Sequence, residues 1–310
     1  MKRRSFLGAL VSATAATSGL GHRVVYASEC PPQLLNGVQL WSVRDLLAKD
    51  ARGTIEAIGA LGFNSVELFR LGGTQDSEGR YFGLAFDELL RVLNASGLSA
   101  RHSHVVENWQ DTDAIARVAE QLGIEVIILA AADEFFDRQA VQFIPANSVA
   151  QVRNLADKLN TAGERYRRHG ITFAYHNHWT EFAKVENQVP LDILIAHTDP
   201  DNVHFELDIG WTTAAGVDPL SYLERNLGRI ISCHLKDFDQ RKQLPTPPST
   251  DDYLDIVREP GGGTIDFAPI IELLVEGGVQ NAFVEVDRPD DPLAAIQRGR
   301  LHLQALGSCV

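Results

Sequence analysis

Short runs rich in β-branched and aromatic residues alternate with segments of helical period along most of the chain, eight times over. The runs read as strands at 37–41, 65–69, 99–104, 126–130, 172–176, 203–208, 230–235 and 283–286. The segments that follow read as helices at 54–61, 86–96, 113–122, 148–169, 191–197, 219–226, 267–276 and 292–306. Local signals agree with that division: Asp113 and Ser148 sit near helix starts and Pro219 lies in a first turn. Gly62, Gly97, Gly123, Gly170 and Gly277 stand just past helix ends. Repeated βα units predict a parallel sheet flanked by helices. At about 35 residues per unit, eight of them predict a single-domain (β/α)8 TIM barrel. An open doubly wound sheet is the alternative, weakened because Trp41-Ser42-Val43-Arg44-Asp45 stands where a GxGxxG turn would follow the first strand.

The N-terminus reads as an address rather than as part of the barrel. Lys2-Arg3-Arg4 precedes an uncharged stretch from Ser5 to Gly21, and Val25-Tyr26-Ala27 gives a small-residue exit. The run Arg3-Arg4-Ser5-Phe6-Leu7, with only mild hydrophobicity behind it, resembles a twin-arginine export signal. Residues 1–27 are therefore expected to engage the twin-arginine translocation machinery and leave a periplasmic barrel over 28–310 with no membrane anchor. Cleavage removes Lys2, Arg3, Arg4 and Arg23 and no acid, taking the net charge from −13 to −17. Such an acidic chain is unsuited to the phosphate backbone of nucleic acid. A composition of 45% hydrophobic and 22% charged residues excludes a disordered, collagen-like or multi-span membrane protein. The three cysteines, Cys30, Cys233 and Cys309, are too far apart for a zinc knuckle or a disulfide framework. One long irregular insertion, 238–264, carries Pro245, Pro247, Pro248 and Gly261-Gly262-Gly263 and reads as a lid over the strand ends.

In such a barrel, chemistry sits where the strands end. Those positions hold Glu67, His102 and His104, then His176 and His178 with Glu181 beyond, Glu206 and Asp208, His234 and Lys236, and Glu285. A lone buried His or Glu is more often a satisfied polar group than a ligand. Four on consecutive strands make a stronger case, and imidazoles converging with carboxylates suit one divalent ion such as Mn, Co, Zn or Mg. The expected ligands are His176, Asp208, His234 and Glu285, with His178 or Glu181 as substitutes on strand five. Glu206 shares a face with Asp208 and reads as a buried partner. Proton transfer is assigned to Glu67 and Lys236, with His102, His104 and His178 as alternatives. For Lys236 the two readings are a base of lowered pKa and a salt bridge to Asp237. Trp41, Phe69 and Trp211 could wall a sugar ring, and Arg288 is a further candidate contact for substrate.

Gln39-Leu40-Trp41-Ser42-Val43-Arg44-Asp45, Tyr175-His176-Asn177-His178, Phe205-Glu206-Leu207-Asp208, His234-Leu235-Lys236-Asp237 and Gly263-Thr264-Ile265-Asp266-Phe267 together resemble the xylose isomerase-like TIM-barrel superfamily, which includes sugar phosphate isomerases and epimerases. The resemblance implies one divalent ion held by a Glu, an Asp, a His and a Glu after strands five to eight. Asp208, His234 and Glu285 match, whereas strand five offers His176 in place of Glu. The endonuclease IV branch does not fit, because Asp208-Ile209-Gly210-Trp211 stands where its Asp-x-x-His belongs. The resemblance implies proton chemistry beside a carbonyl, in which the ion stabilises an enediolate. The leading expectation is a metal-dependent isomerase or epimerase of an unphosphorylated carbohydrate, possible as a homo-oligomer. The alternatives are a lyase or dehydratase acting at the same site on a 3-keto-glycoside or inosose, and a non-catalytic periplasmic sugar-binding module.

Overall fold

Eight parallel strands close into a barrel in chain order, and the eighth pairs back onto the first. They are β1 (Gly37–Gln39), β2 (Ser65–Leu68), β3 (Ser99–Val105), β4 (Val126–Leu129), β5 (Thr172–His176), β6 (His204–Asp208), β7 (Ile230–Leu235) and β8 (Asn281–Val284). The computed structural model describes residues 34–71, 79–246 and 248–306, so the export segment expected at 1–27 lies outside the described residues. The outer layer consists of α1 (Ala51–Ala60), α2 (Phe86–Ala95), α3 (Thr112–Leu122), α4 (Val149–Arg168), α5 (Pro190–His197), α6 (Pro219–Asn226), α7 (Ala268–Glu276) and α8 (Pro292–Leu306).

Four of the barrel helices start on short polar side chains, Asp50, Asp111, Ser148 and Asp218. Ser148 accepts the Gln151 N–H at the head of α4, whose last turn carries Arg165, Arg167 and Arg168 against the negative end of the helix dipole. Asp111, rather than Asp113, caps α3 by accepting the Ala114 N–H. Helix α1 begins three residues earlier than its apolar pattern predicts, because Asp50 accepts the Gly53 N–H and draws Ala51 and Arg52 into the first turn. After α7 the left-handed residue is Gly278 (φ +72°), not Gly277 (φ −78°). Gly277 lacks a side chain for another reason: a Cβ there would stand 2.5 Å from the Leu227 side chain.

Strand register delivers the polar residues to one end of the barrel. Parallel pairing sets Glu206 beside His176 and Asp208 beside His234, and places Gln39 beside Glu67. Residues two apart on β6 share the inner face, so Glu206 and Asp208 point in while Leu207 joins the apolar layer beneath the helices. Strand β8 ends at Val284, two residues before its expected end, which puts Glu285 just beyond it on the rim.

The insertion after β7 is built in rather than loosely draped. Asp237-Phe238 pairs antiparallel with Val257-Arg258. A short helix, Thr250–Leu254, places Tyr253 against Trp179 and Trp211. Tyr253, Ile256 and Val257 form with Trp211 and Phe238 a second apolar cluster above the barrel. Its return is tied down by Asp237, whose buried carboxylate accepts N–H bonds from Phe238, Gly261, Gly263, Thr264 and Ile265 at 2.8–3.1 Å. A Cβ on Gly263 would stand 2.2 Å from Asp237 Oδ1, so that glycine serves close packing of backbone onto the carboxylate.

Candidate metal centre and substrate cavity

Two clusters share His234. On one side its Nδ1 lies 2.8 Å from Glu285 Oε2 and 3.9 Å from Asp208 Oδ2. On the other its Nε2 lies 2.6 Å from Glu67 Oε2 and 3.1 Å from Glu206 Oε2. Glu206 Oε2 is the hub of the deeper cluster, 2.8 Å from His104 Nε2 and 3.1 Å from His176 Nδ1, while its other oxygen accepts the Ser232 hydroxyl at 2.7 Å. Gln39 Nε2 donates to Glu67 Oε2 at 2.6 Å. Every one of these side chains is buried.

Burial and mutual charge set the protonation states. Burial resists the charge on His234, yet Glu206, Glu285 and Glu67 hold its imidazole well above the ordinary histidine range. Burial likewise opposes ionisation of Glu206, and the His234 charge with bonds from His104 and His176 holds it well below the usual carboxylate range. Glu67, buried and next to Glu206, is pushed up to about 7. Burial pushes Asp208 up to about 7 against the pull of Lys236. His176 falls to about 3, first through burial and then through the His234 charge.

Lys236 is drawn into the upper cluster. Its Nζ lies 2.7 Å from Glu285 Oε2, 2.8 Å from Asp287 Oδ2 and 3.2 Å from Asp208 Oδ2, and 5.1 Å from the Trp211 ring centroid. Burial disfavours its charge, but Asp208, Asp287 and Glu285 hold the ammonium well above the ordinary lysine range. Neither expectation for this residue stands: it is not a lysine of lowered pKa, and its partners exclude Asp237, which faces the insertion. Gly210 makes room for the lysine stem, since a Cβ there would stand 2.2 Å from Lys236 Cγ.

The donor set fits a metal ion. Ligand atoms of Asp208, His234 and Glu285 all lie within 4.8 Å of one another, as do those of His104, His176, Glu206 and His234. Asp208 Oδ2 is buried and accepts no hydrogen bond, while Oδ1 is used on the Trp211 N–H at 2.7 Å. Imidazole with two carboxylates suits a divalent ion of borderline to hard character. His176 Nε2, 3.7 Å from Asp208 Oδ2, borders the same cluster. Glu181 does not reach it: its carboxylate accepts the Tyr175 hydroxyl, the Thr180 hydroxyl and the His178 N–H at 2.7–3.0 Å.

A cavity of about 360 Å³ opens above these groups. Of the residues expected to act on substrate, His104, His178, Lys236, Trp41, Phe69, Trp211 and Arg288 line it. Glu67 and His102 do not. Glu67 is sealed beneath His234 and His104 with no exposed surface, which makes it a positioning carboxylate rather than a base in contact with substrate. His102 lies below, edge-on to Phe283 at 5.2 Å, and burial takes it down to about 4. Trp41 stands on the 3-10 turn Leu40–Val43, and Trp211 on the short helix Ile209–Ala214, both one step past their strands. His178 lies under Phe143 with ring centroids 3.8 Å apart, and its Nδ1 has no hydrogen-bond partner. Burial first, and then the neighbouring His176 imidazole and the Lys236 charge, hold it well below the histidine range and so neutral.

Sequence reasoning places Asp287 at the end of strand eight without giving it a role, and misses Arg44 at the site. The first shares the alternation of Glu285 two residues before it, a usable signal. Arg44 donates to the Trp41 and Asp287 carbonyls at 2.8 and 2.7 Å, which no local pattern announces. The ribbon of Phe136–Asp137 with Gln142–Phe143 was also missed, because two-residue strands carry no periodicity.

The description "xylose isomerase-like TIM barrel" matches residues 55–306, and the chain belongs to that family. Among curated relatives, the inosose dehydratase of Lacticaseibacillus casei is 30% identical over 183 residues, covering 56% of this chain and 60% of that protein. The inosose dehydratase of Salmonella typhimurium is 28% identical over 172 residues, 52% of this chain and 56% of that protein. The chain thus spans about 60% or less of the length of these relatives. In structure, a sugar phosphate isomerase/epimerase from Parabacteroides distasonis superposes with a TM-score of 0.70 at 21% identity, over 86% of this chain and 96% of that one. A xylose isomerase-like TIM barrel protein from Mycobacterium smegmatis in complex with magnesium gives 0.61 at 16% identity, over 84% and 90%. Both likenesses establish the fold.

Proposed function

We propose that this barrel is a metal-assisted lyase that removes a β-substituent, as water or an alcohol, from a keto-carbohydrate. The observation that carries the reading is that a neutral imidazole, His178, and a charged ammonium, Lys236, line one cavity beside the Asp208–His234–Glu285 cluster. The names of the curated relatives, inosose dehydratases, favour dehydration over the isomerase or epimerase that was the first expectation.

Asp208, His234 and Glu285 would hold the ion, with His176 bordering them. A divalent cation there would polarise the substrate carbonyl and ease loss of the neighbouring proton. The neutral His178 imidazole accepts that proton from the carbon next to the carbonyl. The electron pair released forms the new C=C bond, the C–O bond at the β carbon breaks, and its oxygen leaves with the proton of Lys236 Nζ. Asp287 and Glu285 keep that ammonium aimed into the cavity. Trp211 and Trp41 give the ring an apolar face to lie on. The site of action proposed is the periplasm, on the strength of residues 1–27 alone.

The test is incubation of manganese-loaded protein in D2O with an inosose and with a 3-keto-glucoside. An ultraviolet band of the conjugated enone and release of water or alcohol are the expected result. Deuterium at the α carbon with an epimer and no release would return the assignment to an epimerase. Binding without exchange would leave a sugar-binding module.

A further inference from the structure

The cavity is divided by depth. Its buried lining holds all four of His104, His176, Lys236 and Glu285 beside Phe69, Trp211 and two alanines, whereas the side chains at its partly exposed lip are largely apolar. Six of these partly exposed or exposed apolar side chains come from four stretches of chain: Trp41 after β1, Val106 after β3, Phe136, Val141 and Phe143 after β4, and Leu254 in the insertion, with the buried Phe69 behind Trp41. Trp41 and Phe69 meet edge to face at 5.3 Å, and Phe136 and Phe143 pack at 5.0 Å across their ribbon. Of the three arginines at the same mouth, Arg44 is bonded to two carbonyls, Arg288 lies 2.8 Å from Asp251, and Arg70 lies 3.8 Å from Glu107.

Val141 stands out on two counts. It is 73% exposed, and among the described residues only it and Leu301 are exposed large hydrophobics. It also has φ +52°, a left-handed backbone that a β-branched side chain adopts only with strain of roughly 1–3 kcal/mol. An apolar side chain held under strain in water, on the lip of a cavity, is covered when a ligand with apolar surface arrives. A bare polyol carries a hydroxyl on nearly every carbon and would lose hydration against Val141 and Leu254 with no hydrogen bond in return.

We propose that the lip formed by Phe136, Val141, Phe143 and Leu254 is a subsite for an apolar aglycone, so that the substrate is a keto-glycoside of an aromatic or long-chain alcohol rather than a free keto-polyol. The sugar then occupies the polar floor, and the aglycone lies along the ribbon and the insertion. The assignment rests on the lyase reading for the sugar's chemistry, but the binding preference is independent of turnover.

Calorimetric titration of the manganese-loaded protein with phenyl and methyl β-glucosides tests it, since neither carries the ketone. The phenyl glucoside should bind at least tenfold more tightly. Val141→Ser, at an exposed position that the fold does not need, and Phe136→Ala should each bring the phenyl glucoside toward the methyl one while leaving the methyl glucoside unchanged. Equal affinities in the wild type, no measurable binding of the phenyl glucoside, or a preference that survives both substitutions would overturn the subsite. Elimination from phenyl and methyl 3-ketoglucosides at equal kcat/KM would also overturn it while leaving the lyase intact. A phenyl preference in binding with no enone from either ketone would remove the lyase and leave the subsite.

Discussion

His102 shows what burial does to a single residue. Enclosed within the barrel against Phe283, its pKa drops to about 4 from an ordinary value near 6.5. Between those values the unfolded chain binds a proton that the folded chain refuses. Its contribution is therefore complete above pH 6.5 and is lost as pH falls toward 4, by about 3 kcal/mol in all. Urea denaturation at pH 7 and pH 4.5 should show His102→Leu losing less stability over that interval than the wild type; equal losses would refute the assignment. At His178 the expectation is catalytic: His178→Gln should lower the elimination kcat by roughly 10²- to 10⁴-fold while manganese binding, read by calorimetry, stays unchanged. That Asp208, His234 and Glu285 would gather into one cluster was legible because they lie at predictable strand ends. The roles of Glu67 and Lys236 were not, because they depend on which neighbours close over each side chain. Strand-end position cannot tell a sealed carboxylate from an open one, and Lys236 is fixed by Asp287, a residue 51 positions away.

Among the elements, the insertion between β7 and α7 holds the most structure that its sequence pattern leaves unstated. Three consecutive glycines and three prolines read as an irregular lid, and Thr250 and Leu254 do border the cavity, but what the pattern does not announce is that five backbone N–H groups converge on one buried carboxylate, Asp237. Asp237→Ala would strand those donors and should cost on the order of 3–5 kcal/mol, felt locally. Limited proteolysis should then cut within 239–264 while the barrel fragments persist and far-ultraviolet dichroism is nearly unchanged. Global unfolding instead would mean that the insertion is part of the barrel's cooperative unit. The eight strands and eight helices were legible because their periods of 2 and 3.6 persist for several residues each. What was not legible were ends set by a single side chain, such as Asp50 at α1, and ribbons two residues long. Glycine identity alone also misplaced the turn after α7, because Gly277 answers to Leu227 and only Gly278 to backbone conformation.

On the scale of the whole molecule, the closed sheet gathers six carboxylates and five imidazoles or ammonium groups at one end: Glu67, Glu181, Glu206, Asp208, Glu285 and Asp287 with His104, His176, His178, His234 and Lys236. Burying so many ionisable groups is unfavourable, and their mutual pairing offsets it only where geometry is complete. Asp208 Oδ2, buried without a hydrogen bond and with the Lys236 ammonium 3.2 Å away as its nearest counter-charge, marks where it is least complete. A cation that binds the folded chain and not the unfolded one stabilises it by mass action, by about 2.7 kcal/mol at a hundred times its dissociation constant. The melting temperature should therefore rise with added manganese, zinc or magnesium and keep rising with the logarithm of concentration once the site is saturated. Asp208→Asn and Glu285→Gln should each abolish that dependence. The metal-free variants also test what the ion does for the fold. If Asp208→Asn melts higher than the metal-free wild type, the carboxylate is retained for the ion at a cost in stability; if it melts lower, Lys236 already satisfies the cluster and the ion must compete with that ammonium for Asp208 and Glu285.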